Sequence, residues 1–237
     1  MNKEEIQAFL LHLIKDRKLS FASIRLHLNA IRFFYLNVLH WDDLQLTLPA
    51  PKVPQRIPEL LSRDEVARIL GAAGNLKHRT LLVTCYGCGL RVSELVSLRV
   101  KHIDSEGHLL RIEQAKGAKD RQVILPASVL RQLRRYWQRY RPADWLFPGR
   151  EFTERLSISA VQRIFQRAKN QAGIEKVGGI HSLRHAYATH QLEAGMPIHQ
   201  LQRLLGHNNL QSTMRYVHWM PRYRQGQGID LLATVEV

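Results

Sequence analysis

The sequence predicts a mainly helical protein with one small antiparallel sheet, an α+β chain in which helices dominate. Three observations predict it. Apolar residues recur at intervals of three and four over most of the 237 residues, the spacing that lines one face of a helix. A single stretch, 108–125, switches to alternation at period two, as a half-buried hairpin does. Between 48 and 60 four of the nine prolines gather, and such a segment reads as an extended linker between two helical regions.

The first helix is expected over 4–16, where Ile6, Phe9, Leu10, Leu13 and Ile14 form the stripe. A second is expected from Ser20 to about Leu39, with Ile24, Leu28, Ile31, Tyr35 and Val38 inward. Arg25, Asn29 and Arg32 share another face of that helix and could grip a DNA backbone. The expected boundaries are a helical region over 1–47, a linker over 48–61, a larger domain over 62–220 and a tail over 221–237. Ser62 with Glu65 makes a capping box, and Leu61 can staple onto Val66, so a new helix starts where the linker ends.

Within the larger region a helix around 78–88 runs into Gly87-Cys88-Gly89-Leu90-Arg91. The glycines stop it and let backbones approach closely, leaving Arg91 at the start of the next turn with Glu94 three residues on as its buttress. The hairpin pairs Leu110 and Ile112 with Val123 and Leu125 around Lys116-Gly117-Ala118-Lys119-Asp120. Both lysines there could touch phosphates. Helices over 127–140 and 159–172 come next. The first buries Val129, Leu130, Leu133, Tyr136, Trp137 and Tyr140. The second packs Val161, Ile164, Phe165 and Ala168 and turns Gln162, Arg163, Gln166, Arg167 and Lys169 outward, residue types that read base edges.

A formal charge of +15 and a pI near 10.3 argue for a polyanionic partner, nucleic acid before membrane. No run of about 18 apolar residues exists to span a bilayer, and the first residues lack the order of a signal peptide. Cys85 and Cys88 are the only cysteines. With no second pair and an apolar run before them, they read as core packing in a reducing cytoplasm rather than as a metal or redox site.

Chemistry concentrates in His181-Ser182-Leu183-Arg184-His185, in Leu204-Leu205-Gly206-His207, and in Tyr216 nine residues later. His181 and Arg184 fall on one helical face. A guanidinium forks onto phosphate oxygens, an imidazole moves protons near neutral pH, and a tyrosine can attack phosphorus. Tyr86 and Tyr187 compete for that role, but Tyr187 sits between alanines and reads as packed. His185 and His190 read as structural. The expectation is phosphoryl transfer from DNA to a protein tyrosine.

With these pieces in place the chain resembles the tyrosine recombinase family, the phage integrases and their Xer-like relatives. The matching segments are Gly89-Leu90-Arg91-Val92-Ser93-Glu94-Leu95, Lys116-Gly117-Ala118-Lys119-Asp120-Arg121, His181-Ser182-Leu183-Arg184-His185 and Leu204-Leu205-Gly206-His207 with Tyr216. The resemblance implies a helical catalytic core with a three-stranded sheet, preceded by a SAM-like core-binding domain. Here that domain is expected to be short by one or more helices. It also implies a pocket of Arg91, Lys116, His181, Arg184 and His207 around the nucleophile Tyr216.

A free phenol is only about 0.1% ionised at pH 7, a handicap of roughly 4 kcal/mol. His181 would take or share its proton, Arg91 and Arg184 would hold the phosphate, Lys116 would protonate the leaving 5′ oxygen, and His207 would donate a hydrogen bond. Attack would leave a 3′-phosphotyrosyl link and a free 5′-hydroxyl, and another strand's hydroxyl would reverse it. One phosphoester replaces another, so neither ATP nor a metal ion is required; no cofactor is expected. The partner is double-stranded DNA with a specific site, bound by a monomer or weak oligomer that forms a homotetramer at synapsis, in a bacterial cytoplasm with the nucleoid. A type IB topoisomerase would share the chemistry without the synapse, and a silent DNA-binding remnant would share the fold without the chemistry.

Overall fold

A computed structural model describes residues 2–41, 59–115 and 119–219. The chain divides into two compact units, Met1–Arg56 and Ile57–Val237. The linker residues 48–58, Lys116 and the tail from 221 onward lie outside the described residues.

In the first unit α1 spans Lys3–Lys15, started by an Asn2–Glu5 capping box, and α2 spans Phe21–Phe33 from the Ser20 N-cap. Ile6, Leu10 and Leu13 form its small core, with Leu28, Ile31 and Tyr35 packed against them. The expected second helix does continue past Phe33, but as a π-helical turn over Phe34–Val38. Each π-turn adds a residue to the repeat and so rotates the residues beyond it about the helix axis. Tyr35 therefore still reaches the core, whereas Val38, expected inward, is 53% exposed. Arg25, Asn29 and Arg32 lie on the exposed side of α2.

The second unit begins with the Ser62–Glu65 capping box at α3, Arg63–Gly71; Leu61 and Val66 are both buried in its core. Helix α4, Leu76–Gly87, carries buried Leu81, Leu82 and Cys85. Gly89 then takes φ +60°, and a Cβ there would stand 2.4 Å from the Tyr187 ring, so only glycine fits the turn. Tyr187 is the packed residue under that turn, and Tyr86 bonds through its hydroxyl to His190 Nδ1, 2.9 Å. Both cysteine thiols are free and buried, pushed up to about 12 by that burial.

After the short α5, Val92–Val96, the chain forms three antiparallel strands in sequential order: β1 Ile103–Asp104, β2 Leu109–Ala115 and β3 Lys119–Ile124. Leu110 stands opposite Val123, and Leu110, Ile112, Val123 and Leu125 point into the core while Arg111 and Gln122 face outward. A bulge lies between Ile112 and Ala115.

Helix α6, Ala127–Tyr140, buries Val129, Leu130, Leu133 and Tyr136. Trp137 and Tyr140, expected inside, are 41% and 39% exposed; the stripe is one residue narrower than the aromatics suggest, and Arg141 lies over the Trp137 ring at 3.9 Å. Helix α7, Ile158–Gln171, packs through Val161, Phe165 and Ala168. Lys169, expected outward, is buried and donates to the Lys176 carbonyl. Helices α8 (His181–Glu193), α9 (Ile198–Leu205) and α10 (Leu210–Trp219) close the unit. Tyr187, Ala188, Leu192, Leu201, Leu205 and Tyr216 make a second small core between them. This second core fixes the nucleophile candidate relative to α8. Among the described residues no helix is long and apolar enough to cross a membrane.

Candidate active site

Glu94 organises the cluster. Its carboxylate, 8% exposed, receives Arg91 Nη1 at 2.8 Å and Arg121 through both terminal nitrogens at 2.7 and 2.9 Å; Arg184 Nη1 stands 3.8 Å away. Burial by itself would raise this carboxyl, but the Arg121 fork and the Arg91 contacts overrule it and hold it at about 2. Three guanidinium groups thus face one carboxylate, and the cluster is cationic before any lysine joins it.

The elements that deliver these groups are short and firmly seated. Arg91 sits at the N-cap of α5, its backbone N–H and side chain both bonded to Glu94 one turn on. Arg121 comes from β3 and reaches across to the Leu204 carbonyl, 3.1 Å, at the end of α9. Gly206 ends α9 at φ +61°, and a Cβ on it would stand 2.9 Å from Arg121 Cδ; the glycine is what lets β3 and α9 close on each other. Its carbonyl accepts from Arg91 Nη2 at 3.3 Å.

Arg184 is 1% exposed. It donates to the Gly89 carbonyl and to the Leu205 carbonyl, each at 2.7 Å, and to His207 Nε2 at 3.2 Å. Burial, then Arg91, lowers its pKa to about 10, so it stays charged at neutral pH. Because arginine only donates, His207 must present a lone pair at Nε2 and carry its proton on Nδ1, which lies 2.8 Å from Thr213 Oγ1. Burial and then Arg184, Arg91 and Arg121 keep that imidazole neutral, at about 4. Both ring nitrogens are occupied. His207 can therefore donate to a phosphate oxygen only after Nε2 takes a proton.

Tyr216 lies on α10, 4% exposed. Its ring stacks on His207, centroids 6.2 Å apart and planes at 9°, and meets Trp219 edge-on at 5.2 Å. Its hydroxyl is 3.2 Å from His185 Nδ1. Burial raises the phenol above its ordinary range, with Arg184 and Arg91 pulling it back. His181 opens α8 and is exposed, its ring edge-on to His185 at 4.6 Å. Burial of its inner face, Arg184 and Arg91 lower it.

The structure brings Arg91, His181, Arg184, His207, Tyr216 and Glu94 into one cluster. It describes neither Lys116 nor the Lys119 side chain. Arg163 and Arg167 are exposed on α7. Two members carry no assignment from sequence. Arg121 appears there only as the last residue of a matching segment, with no role given to it. His185, read as structural, lies against the Tyr216 hydroxyl, and its spacing of four from His181 is the signal that could have marked it.

The Glu94 network makes a prediction. A carboxyl held at about 2 in the fold against an ordinary 4.5 stabilises the native state above pH 4.5 and loses that contribution as pH falls toward 2. The size is about 3 kcal/mol. Denaturant melts at successively lower pH should show this loss in the wild type, and Glu94→Gln, already weaker at neutral pH, should lack that component.

Known proteins resemble this chain along most of its length. The phage integrase family model matches residues 59–222, and the phage integrase N-terminal SAM-like domain matches residues 1–43. The y4qK protein of Sinorhizobium fredii is 41% identical over 218 residues, 92% of this chain and 71% of that protein. Tyrosine recombinase XerA of Thermococcus kodakarensis is 36% identical over 221 residues, 91% of this chain and 77% of that protein. A crystal structure of XerA recombinase superposes with a TM-score of 0.65 at 28% identity, covering 94% of this chain and 81% of that one.

Proposed function

This chain belongs to the phage integrase family, and from that premise we propose how its residues share the reaction. The protein is a site-specific DNA recombinase that cuts and rejoins strands through a covalent 3′-phosphotyrosyl intermediate. Tyr216 is the nucleophile. The observation that carries this is its buried phenol, held against Arg184 and His185 beside a cluster of three arginines.

Arg91 and Arg184 hold the scissile phosphate and neutralise charge as it grows on the non-bridging oxygens. Arg121 forks onto Glu94 and donates to the Leu204 carbonyl; it fixes Glu94, which fixes Arg91. His207 gains a proton at Nε2 as the anion arrives and then donates to it. Lys116 protonates the leaving 5′ oxygen, and His181 shares in handling the phenol's proton. Each step exchanges one phosphoester for another.

The partner is double-stranded DNA carrying a recombination site. Exposed Arg25, Asn29 and Arg32 on α2, Arg163 and Arg167 on α7, and Lys119 beside the hairpin turn contact its backbone or bases. Exchange between two sites cuts four strands, so the working assembly is a homotetramer, acting in the cytoplasm on nucleoid DNA. The test is incubation with a nicked duplex carrying the cognate site, then a denaturing gel and peptide mapping. A protein–DNA adduct joined through Tyr216 to the 3′ end is expected; an adduct on any other residue overturns the assignment.

A further inference from the structure

We propose that His185 is a catalytic residue, the group that accepts the proton of the Tyr216 hydroxyl as that oxygen attacks phosphorus and that returns it on resealing. The proposal rests on Tyr216 being the nucleophile and deepens that reading.

The geometry carries it. Among the described residues the hydroxyl has one hydrogen-bond partner, His185 Nδ1 at 3.2 Å, and the buried Arg184 cation acts on the same oxygen. A guanidinium has no lone pair to offer and its positive charge attracts those of the phenol oxygen, so the phenol's own hydrogen finds no acceptor on that side. His185 is the acceptor, and it must carry its own hydrogen on Nε2. The imidazole is held in place on three sides: by His181 at 4.6 Å, by the Tyr216 ring at 5.6 Å and by Trp219 edge-on at 5.4 Å. It projects from the same face of α8 as His181 and Arg184, one turn beyond the first. His181 touches His185, one ring further from the reacting oxygen.

The step balances. The Tyr216 O–H bond breaks as the proton moves to His185 Nδ1, the O–P bond forms, and the P–O5′ bond breaks with its electron pair leaving on the 5′ oxygen. In the reverse direction the imidazolium returns the proton to the phenol. The charged and titratable groups around the ring are His181, Arg184, His207 and Tyr216 itself. Burial and then His181, Arg184 and His207 hold the imidazole down at about 4, so it is neutral and able to accept. A phosphodiester anion in the site opposes the cationic part of that field, which raises the imidazole toward the range where proton transfer is effective.

Single-turnover cleavage of the nicked duplex by the full chain is the test. Absence of any adduct from the wild type overturns the recombinase assignment and is thereby distinct from failure of the present proposal. His185→Gln keeps a polar side chain but takes no proton, and should cleave about a hundredfold more slowly or worse at neutral pH. DNA affinity should be unchanged. The deficit should shrink as pH rises, because hydroxide then ionises the phenol, and added imidazole should restore part of the rate to His185→Ala. A Gln variant within about threefold of wild type overturns the proposal. So does a deficit that stays constant with pH and ignores imidazole, since lost packing behaves that way. If the variants do not fold, the wild type still answers through its histidine ¹⁵N shifts: Nδ1 of His185 should be an unprotonated acceptor that responds to Tyr216→Phe, and a protonated Nδ1 overturns the assignment.

Discussion

A Tyr216→Phe protein is expected to fold, to bind DNA and to form no covalent adduct at all. The ring stays, and with it the contacts to His185, His207 and Trp219. Only the hydroxyl goes, removing its one neutral hydrogen bond, to His185, at a cost of about 1 kcal/mol. For the larger unit that is a fall of a few degrees in melting temperature, roughly 2–4 °C per kcal/mol. The loss of adduct is total because neither competing phenol can substitute. Burial pushes the Tyr187 hydroxyl up to about 12, beneath the Gly89 turn, and the Tyr86 hydroxyl is tied to His190. A denaturing gel reads the adduct, a gel shift the affinity and a thermal melt the fold. An adduct that survives in the Phe protein moves the nucleophile elsewhere.

Much of this architecture is written in local patterns, because helices and hairpins declare themselves through residues close in sequence. The 3.6-residue stripes of α1, α6 and α7, the period-two run of β2 and β3, and the Ser62–Glu65 box all depend on neighbours within about two turns. The cluster was legible for a different reason. Arg91, His181, Arg184, His207 and Tyr216 have residue types suited to phosphoryl transfer, and the resemblance supplied an order for them. Arg121 escaped because its meaning lies in partners far along the chain: Glu94, 27 residues before it, and the Leu204 carbonyl, 83 residues after. Nothing within the hairpin distinguishes it from Arg111, which faces solvent and pairs with Asp120 at 2.9 Å. His185 escaped because a histidine next to an arginine on a packed helix usually does serve packing, and only the placement of α10 gives it the phenol. Val38 and Lys169 failed in opposite directions. A π-turn rotated Val38 outward, and the Lys176 carbonyl drew Lys169 inward.

Arg184 is where stability and catalysis meet most directly, and Arg184→Ala is expected to damage both. The guanidinium joins the Gly89 turn after α4, the C-terminal carbonyl of α9 at Leu205, His207 and the charge of Glu94. Truncation leaves two buried carbonyls and an imidazole nitrogen without their donor and opens a cavity of side-chain size, a loss of about 3–5 kcal/mol. It also removes a fixed cation from the phosphate, which lowers the cleavage rate by about a hundred- to a thousandfold or more. Arg184→Lys separates the two effects. An ammonium keeps the charge and fills part of the space, so stability should recover in part. It cannot span Gly89, Leu205 and a phosphate oxygen at once, because those bonds need the planar fork of donors. Cleavage by the Lys protein, measured well below its own melting temperature, should therefore stay low while its melt moves back toward wild type. If the Lys protein cleaved like wild type, positive charge alone would suffice at this position. The two 2.7 Å carbonyl bonds would then serve the fold and have no part in aiming the guanidinium at DNA.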